Sequence, residues 1–344
     1  MDLPQEVSAD AAETAVDVRG LSVEFPTAQG PARAVTDVDL RVARGERLAI
    51  VGESGSGKSV LSLSLIGIVN GSGRIAQGEV WLDGRDLLAL RPDELRRARG
   101  KDIAMVFQDP GTSLNPVLSI EAQIVAPLRR HLGLTRAEAR ERALALLAET
   151  GLPDPARTLA AFPHQLSGGM RQRVMIAMAV ACEPTVLLAD EPTTALDVTI
   201  QAQIVDLLSR LSSERGSAVV FVTHDMGLVA RFADRIAVMY AGRIVESGPV
   251  LDVFADPQHP YTRGLLASIP AVDGPLPDRL TQIDGSPPAL TDLPAGCAFV
   301  DRCPSALPRC ADRQPLLTER RPGQVAACWA TEPADAPTRE AVLA

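Results

Sequence analysis

The sequence runs to 344 residues, 46% hydrophobic and 22% charged, with a net charge of −9, enough apolar chain to bury a core in one large domain with an appendage, or in two domains. An acidic balance, with a pI of about 5.1, argues against a nucleic-acid binder, which needs a basic face. No stretch approaches the roughly 18 apolar residues of a membrane span, and the acidic start "MDLPQEVSADAAETAVDVRG" lacks the features of a secretory leader, so a cytosolic chain is expected.

Residues 1–15 are expected to be a disordered tail. "VDVRGLSVEF" (16–25) has strand character. "AVTDVDLRVARGERLAIVG" (34–52) predicts a strand, a turn at Gly45 and a buried strand "RLAIV". "SGRIAQGEVWLDG" (72–84) reads as further strands with glycine turns, and "DIAMVFQD" (102–109) as a short buried strand. Thr135 and Glu138 have capping-box spacing at the head of an amphipathic helix that Gly151 stops. A second helix follows Ser167. "TVLLADEP" (185–192) and "SAVVFVTHD" (217–225) are apolar runs of parallel-strand type, and "IAVMYAGRIVESG" (236–248) resembles a closing hairpin. Strands alternating with helices predict an α/β fold with a mainly parallel sheet. Past about Gly248 prolines become dense and apolar runs disappear, so a domain boundary is placed there.

Gly52, Glu53, Ser54, Gly55, Ser56, Gly57, Lys58 and Ser59 spell G-x-x-x-x-G-K-S between a buried strand and a helical run that begins at Val60. Glycines in that context let backbone N–H groups curl around phosphates, with the helix N-terminus adding partial positive charge. Lys58 is expected to reach the β- and γ-phosphates, and Ser59 to offer its hydroxyl to Mg²⁺. "TVLLADEP" delivers acids at the C-terminal edge of a strand, where α/β ligands sit. Asp190 would hold Mg²⁺ through water, and Glu191 would be the general base that polarises the attacking water.

"LSGGMRQR" (166–173) adds a third motif. With it the chain, from about residue 16 to 250, resembles the nucleotide-binding subunit of an ABC transporter. The landmarks stand once each and in order: the phosphate loop, Gln108 in "VFQDP", the signature Ser167, Gly168 and Gly169, the pair Asp190 and Glu191, Asp197 in "ALD", and His224 in "FVTHD". The resemblance implies a P-loop ABC cassette with an antiparallel β subdomain, a mainly parallel sheet and a helical subdomain over about 109–175. It implies an ATPase with ATP and Mg²⁺ as cofactors. Two subunits pack head to tail, each ATP lying between one phosphate loop and the other subunit's signature. Ser167 can cap a helix whose Gly168 and Gly169 expose N–H groups, a second anion site. His224 would contact the γ-phosphate, Gln108 the Mg²⁺ and water shell, and Asp197 the ATP interface. Phe25 is the one aromatic upstream of the phosphate loop in the region where relatives stack adenine, with strand core as its alternative.

"DPQHPYTRGLLASIP" (256–270), "GSPPAL" (285–290) and "PAGCAFVDRCPSALPRC" (294–310) resemble the C-terminal extension of oligopeptide and dipeptide transporter ATPases. An extension over 251–344 is therefore expected on an ATPase domain over 16–250. The resemblance implies import of di- or oligopeptides, with nickel chelates or another small solute as the alternative and a soluble ABC ATPase as a more distant one. It implies a second, distinct ABC ATPase subunit, two transmembrane permease subunits and an extracytoplasmic peptide-binding protein, no nucleic acid, and a peripheral place on the cytoplasmic face of the cell membrane. Cys297, Cys303, Cys310 and Cys328 are spaced C-x5-C-x6-C-x17-C. Four thiolates suit tetrahedral Zn²⁺ or an iron–sulfur cube; the wide gaps favour the larger cluster, and a [4Fe–4S] cluster is associated with this extension in some relatives. Cys182, in an apolar helical run, reads as an ordinary core residue.

Overall fold

The computed structural model describes residues 13–194, 197–269 and 282–331. The first strand, β1 (Thr14–Thr27), opens at Thr14, so the expected N-terminal tail lies, over 1–12, outside the described residues. β1 turns at its tip into β2 (Gly30–Ala43), and β3 (Arg47–Val51) follows after the turn at Gly45. β4 (Arg74–Leu82) and β5 (Arg85–Asp86) complete a four-stranded antiparallel sheet in the order β2-β1-β4-β5. The stretch 72–84 was expected to break into strands at glycine turns. It forms one strand, β4, closed by a turn at Gly84, while Gly78 (φ 102°) lies opposite a bulge at Gly20 and Leu21 of β1, where a Cβ would lie 2.5 Å from Leu21 Cα.

The second sheet has eight strands, including β6 (Ile103–Val106), β7 (Val186–Asp190), β8 (Ala218–Thr223), β9 (Arg235–Tyr240) and β10 (Arg243–Pro249). Two more, β11 (Thr318–Arg321) and β12 (Gln324–Ala326), come from the C-terminal segment, and the order is β11-β12-β10-β9-β3-β8-β7-β6. β9, β3, β8, β7 and β6 run parallel, so the chain leaves β3, β8, β7 and β6 side by side on one edge. Alternation explains the continuous apolar runs. Leu48 and Ile50 face a core shared with Val16, Leu21 and Val35 of the antiparallel sheet. Ala49 and Val51, between them in sequence, face Val253, Tyr261 and Phe299 on the other side.

Helices at Ile120–Leu132, Arg136–Glu149 and Pro155–Ala160 pack with Gly168–Ala179 into a helical lobe beyond β6. Thr135 caps the second of these, its Oγ1 accepting from Glu138 N at 3.3 Å while Glu138 Oε2 accepts from Thr135 N at 2.8 Å. Cys182 is buried, its sulfur 3.8 Å from Pro127 O.

After β10 the chain packs back onto the sheet through the Pro260–Ala267 helix and the cysteine-bearing segment. Glu246 on β10 is fully buried, and its carboxylate accepts from the N–H groups of Gln258 and His259 and from the Gln324 amide. Three donors on one buried carboxylate satisfy its charge and tie two parts of the C-terminal segment, 258–259 and Gln324, to β10. No helix among the described residues is long and apolar enough to cross a membrane.

Candidate active site

The loop after β3 runs through Gly52–Ser59 into the Lys58–Leu65 helix. Gly57 caps that helix at φ 104°, and a Cβ there would come within 2.2 Å of Ala34 O, so only glycine lets β2 close over the loop. Lys58 is buried, and its Nζ donates to the carbonyl oxygens of Gly52 (2.8 Å) and Glu53 (2.9 Å). Burial lowers the Lys58 pKa; the nearby Glu191, Asp190 and Glu53 carboxylates work against that fall. Ser54, Gly55, Gly57, Lys58, Ser59 and Val60 line an open cavity of about 630 Å³, with Ala34 and Leu290 also in its wall.

The same cavity is also lined by Gln108, Glu191 and His224, from the ends of β6, β7 and β8. Asp190, the last residue of β7, accepts a hydrogen bond from Ser59 Oγ at 3.0 Å. Its pKa is raised, first by burial and also by Glu191, while the Ser59 hydrogen bond and Lys58 pull it down. The carboxylate of Glu191 collects three partners. Gln108 Nε2 donates to Oε2 at 2.9 Å, Thr194 Oγ1 donates to the same oxygen at 2.9 Å, and His224 Nδ1 lies 3.3 Å from Oε1. Glu191 also sits at φ 43°, uncommon for a residue with a side chain. Such conformations concentrate where the surrounding structure holds a functional group in place. Ser59 and Asp190 present hard oxygens side by side, a donor set that fits Mg²⁺, which takes one or two carboxylates with water and phosphate oxygens. The Gln108 amide is committed through its nitrogen to Glu191, leaving its oxygen for that shell.

Ser167 is the N-cap of the Gly168–Ala179 helix, its Oγ accepting from Met170 N at 3.3 Å. A Cβ at Gly168 would meet nothing within 4 Å. Asp197 caps the Val198–Arg215 helix through Ile200 N at 3.0 Å, and Ile200 packs near Gly169. None of Ser167, Gly168, Gly169 or Asp197 lines the cavity around Lys58. Phe25 does not line it either. It is half-buried and packs against the core near Val69, where a Cβ on Gly73 would come 2.5 Å from Phe25 Cε1.

The four clustered cysteines converge. Cys297, Cys303, Cys310 and Cys328 line one narrow cavity with His259 and Phe299, and all are free thiols. Cys297 N donates to Cys310 O at 2.8 Å, pinning two of the four together. Burial, with the other thiols adding, pushes the Cys297 pKa up to about 11. Among the described residues, no group of three or more His, Cys, Asp or Glu side chains is arranged to hold a metal ion. The expected ligand set thus shares a cavity, but the structure does not gather it into a metal centre.

The model of the ABC transporter family matches residues 35–194, which contain the phosphate loop and Glu191, and that of the oligopeptide/dipeptide transporter C-terminal region matches 245–310. A putative peptide import ATP-binding protein of Brucella melitensis is 52% identical over 313 residues, covering 88% of this chain and 93% of that protein. The oligopeptide transport ATP-binding protein AppD of Bacillus subtilis is 46% identical over 320 residues, covering 93% and 97%. The chain belongs to the ABC transporter family. Among solved structures, the dimeric post-hydrolysis state of the ATP-binding cassette MJ0796, bound to ADP and phosphate, matches with TM-score 0.62 and 34% identity, covering 68% of this chain and 98% of that one. The α/β fold read from the alternating elements is observed, and so is the ABC cassette that the resemblance implied.

Three residues of this ABC cassette's cavity and loop have no motif to announce them. Thr194 reaches Glu191 from three residues away, a spacing visible in "EPTT" once Glu191 is singled out. Leu290 and Tyr261 come from the C-terminal segment. Leu290 lines the cavity and its carbonyl accepts from Arg33 N at 3.2 Å. Tyr261 Oη accepts from Glu53 N at 2.7 Å. Nothing local in the sequence signals contacts of that range.

Proposed function

We propose that this chain is the ATP-hydrolysing subunit of a membrane ABC importer that takes up di- or oligopeptides. The observation that carries the hydrolytic part is the Glu191 carboxylate, held between Gln108 and His224 in the cavity that Lys58 also lines. Lys58 and the loop N–H groups bind the β- and γ-phosphates. Ser59, Asp190 and Gln108 would hold Mg²⁺, whose charge would offset that of the phosphates. Glu191 accepts the proton of the attacking water, and His224 steadies that water and the γ-phosphate. The peptide substrate is supported by the names of the relatives and by the match to the oligopeptide/dipeptide transporter C-terminal region.

The signature lies away from the chain's own phosphate cavity, which supports its use on the ATP of a second cassette, as does the dimeric state of the MJ0796 relative. That second cassette is a distinct chain in our reading. Two permease subunits and an extracytoplasmic peptide-binding protein complete the importer, and this subunit sits on the cytoplasmic face of the membrane. The four converging cysteines we read as the ligands of a [4Fe–4S] cluster, with zinc as the alternative. Four thiols around one cavity suit either, and bound metal would supply folding energy to a segment with little core of its own. Iron, sulfide and zinc content of the purified chain, with Cys310→Ser against Cys182→Ser, tests this. Loss in the first and retention in the second is expected.

ATP turnover by the assembled complex carrying Glu191→Gln tests the hydrolytic assignment. Removing a general base costs about 10²–10⁴ in rate, so turnover at that site should vanish while ATP binding persists. A rate equal to wild type would overturn the assignment.

A further inference from the structure

Glu53, the second residue of the phosphate loop, does not line the cavity and has each of its three polar groups paired with another residue. Its carboxylate is gripped by Arg302, with Nη1 donating to Oε2 at 2.7 Å and Nη2 donating to Oε1 at 2.9 Å. Its N–H donates to Tyr261 Oη at 2.7 Å, and its carbonyl accepts from Lys58 Nζ at 2.9 Å. Arg302 and Tyr261 both belong to the C-terminal segment, and Arg302 stands one residue before Cys303.

Arg302 is itself fixed. Its side chain is 5% exposed. Nε donates to Asp284 O at 2.9 Å, Nη2 to Ile283 O at 3.3 Å and Nη1 to Tyr240 Oη at 3.3 Å. The guanidinium lies 5.8 Å from the ring centres of both Tyr240 and Phe299. The hydrogen bonds that Arg302 donates to Glu53 raise the Arg302 pKa further above its ordinary value.

We propose that Arg302, with Tyr261, is a positioning residue of the nucleotide site: the C-terminal segment clamps Glu53, fixes the first turn of the phosphate loop and neutralises a carboxylate carried on that loop. The inference rests on the reading of Gly52–Ser59 as the ATP-phosphate loop. Two physical reasons support it. A glycine-rich loop has many conformations to lose on binding, and an external clamp removes part of that cost beforehand. An unpaired carboxylate on that loop would repel ATP, and a planar fork that matches both carboxylate oxygens removes that repulsion in a way an ammonium cannot. The clamp acts on binding; it touches neither the water nor the γ-phosphate, so it should leave kcat largely alone.

The test uses the purified full-length chain, with direct Mg·ATP binding, steady-state KM and kcat in the assembled complex, and melting temperature. Arg302→Gln is expected to raise Kd and KM about tenfold, as loss of a buried charge-assisted pair does, with kcat changed by less than about twofold. Arg302→Lys should recover part of the loss. Arg302→Gln combined with Glu53→Gln should recover most of it, because the pair is neutral again. A merely structural role would lower the melting temperature without this charge-specific rescue. If Arg302→Gln does not fold, Tyr261→Phe removes only the hydroxyl that receives Glu53 N–H, and about a threefold rise in Kd is expected. An unchanged Kd in folded Arg302→Gln, or in Tyr261→Phe where the first variant fails, overturns the clamp. Full ATP affinity in Lys58→Ala would instead overturn the phosphate-loop reading beneath it.

Discussion

Ser59 Oγ donates a hydrogen bond to Asp190 Oδ1 at 3.0 Å, joining residues that are 131 positions apart. The contact exists because β3 and β7 flank β8 in one parallel sheet and end on the same edge. A hydroxyl from a helix start and a carboxylate from a strand end then meet beside the cavity. Burial raises the carboxylate's pKa, so the folded chain holds this oxygen pair at an electrostatic cost that a divalent cation relieves.

Asp190→Asn removes the charge from that pair while keeping its shape. The Mg²⁺ concentration for half-maximal ATP turnover should rise at least about tenfold, since one full charge at a hard-cation site is lost. A titration of turnover against Mg²⁺ at saturating ATP checks it; an unshifted midpoint would place the cation elsewhere.

Gly57→Ala places a Cβ 2.2 Å from Ala34 O at φ 104°. The obstacle is backbone, not the flexible end of a side chain, so β2 or the loop must shift. A loss of about 3 kcal/mol or more is expected from the combined strain and displacement, along with loss of ATP binding. Thermal melting with and without Mg·ATP reads both, and a melting temperature and a nucleotide-induced shift equal to wild type would contradict the fit described.

Ser167→Arg changes a helix cap outside the chain's own phosphate cavity. The isolated chain should bind Mg·ATP within about twofold of wild type, a difference below about 0.5 kcal/mol. Pairing with the second cassette, and turnover with it, should fail. Binding by fluorescence and assembly by light scattering separate the two effects. An equal loss of both would mean that the signature acts within one chain.

Arg47 joins the start of β3 to Asp234, at the start of β9, donating from Nη2 to Oδ1 at 2.6 Å and from Nε to Oδ2 at 3.1 Å. Burial opposes ionisation of Asp234, but the hydrogen bonds and charge of Arg47 outweigh it and hold the carboxyl below its usual range. A carboxyl with a depressed folded pKa binds fewer protons folded than unfolded, so its stability is present above about pH 4 and fades as pH falls through the lower folded value. Asp234→Asn should cost about 0.5–1 kcal/mol near neutral pH, since the pair is half-exposed and screened. The gap from wild type should narrow below about pH 4. Urea melts at pH 7 and near pH 3 check the sign; a gap that widens in acid would reverse it.

The parts of the site that reading the sequence could reach are those built from neighbours in sequence. A strand that ends in G-x-x-x-x-G-K-S must place Lys58 at a helix start, and an apolar strand ending in Asp190 and Glu191 must deliver both at a sheet edge. Phe25 shows where such reading stops: an aromatic upstream of the loop suits adenine stacking or strand core alike, and its half-buried place beside Val69 and Gly73 follows only from the packing of β1 and β4. Gly78 is ambiguous in the same way, because a glycine in a strand pattern marks a turn, a bulge or a close backbone approach, and the backbone of Leu21 shows it to be the last. Arg302 carried no signal at all. An arginine in a proline-rich tail reads as surface, and its burial against Glu53 follows from a contact spanning 249 positions.

The most direct test of the account is ATP-driven uptake of a labelled peptide into vesicles containing the full importer, comparing wild type with Glu191→Gln in this subunit alone, while ATP occupancy is measured in parallel. The account predicts that the variant keeps its ATP and loses most of its uptake. Uptake at the wild-type rate with ATP bound and unhydrolysed at this site would contradict it.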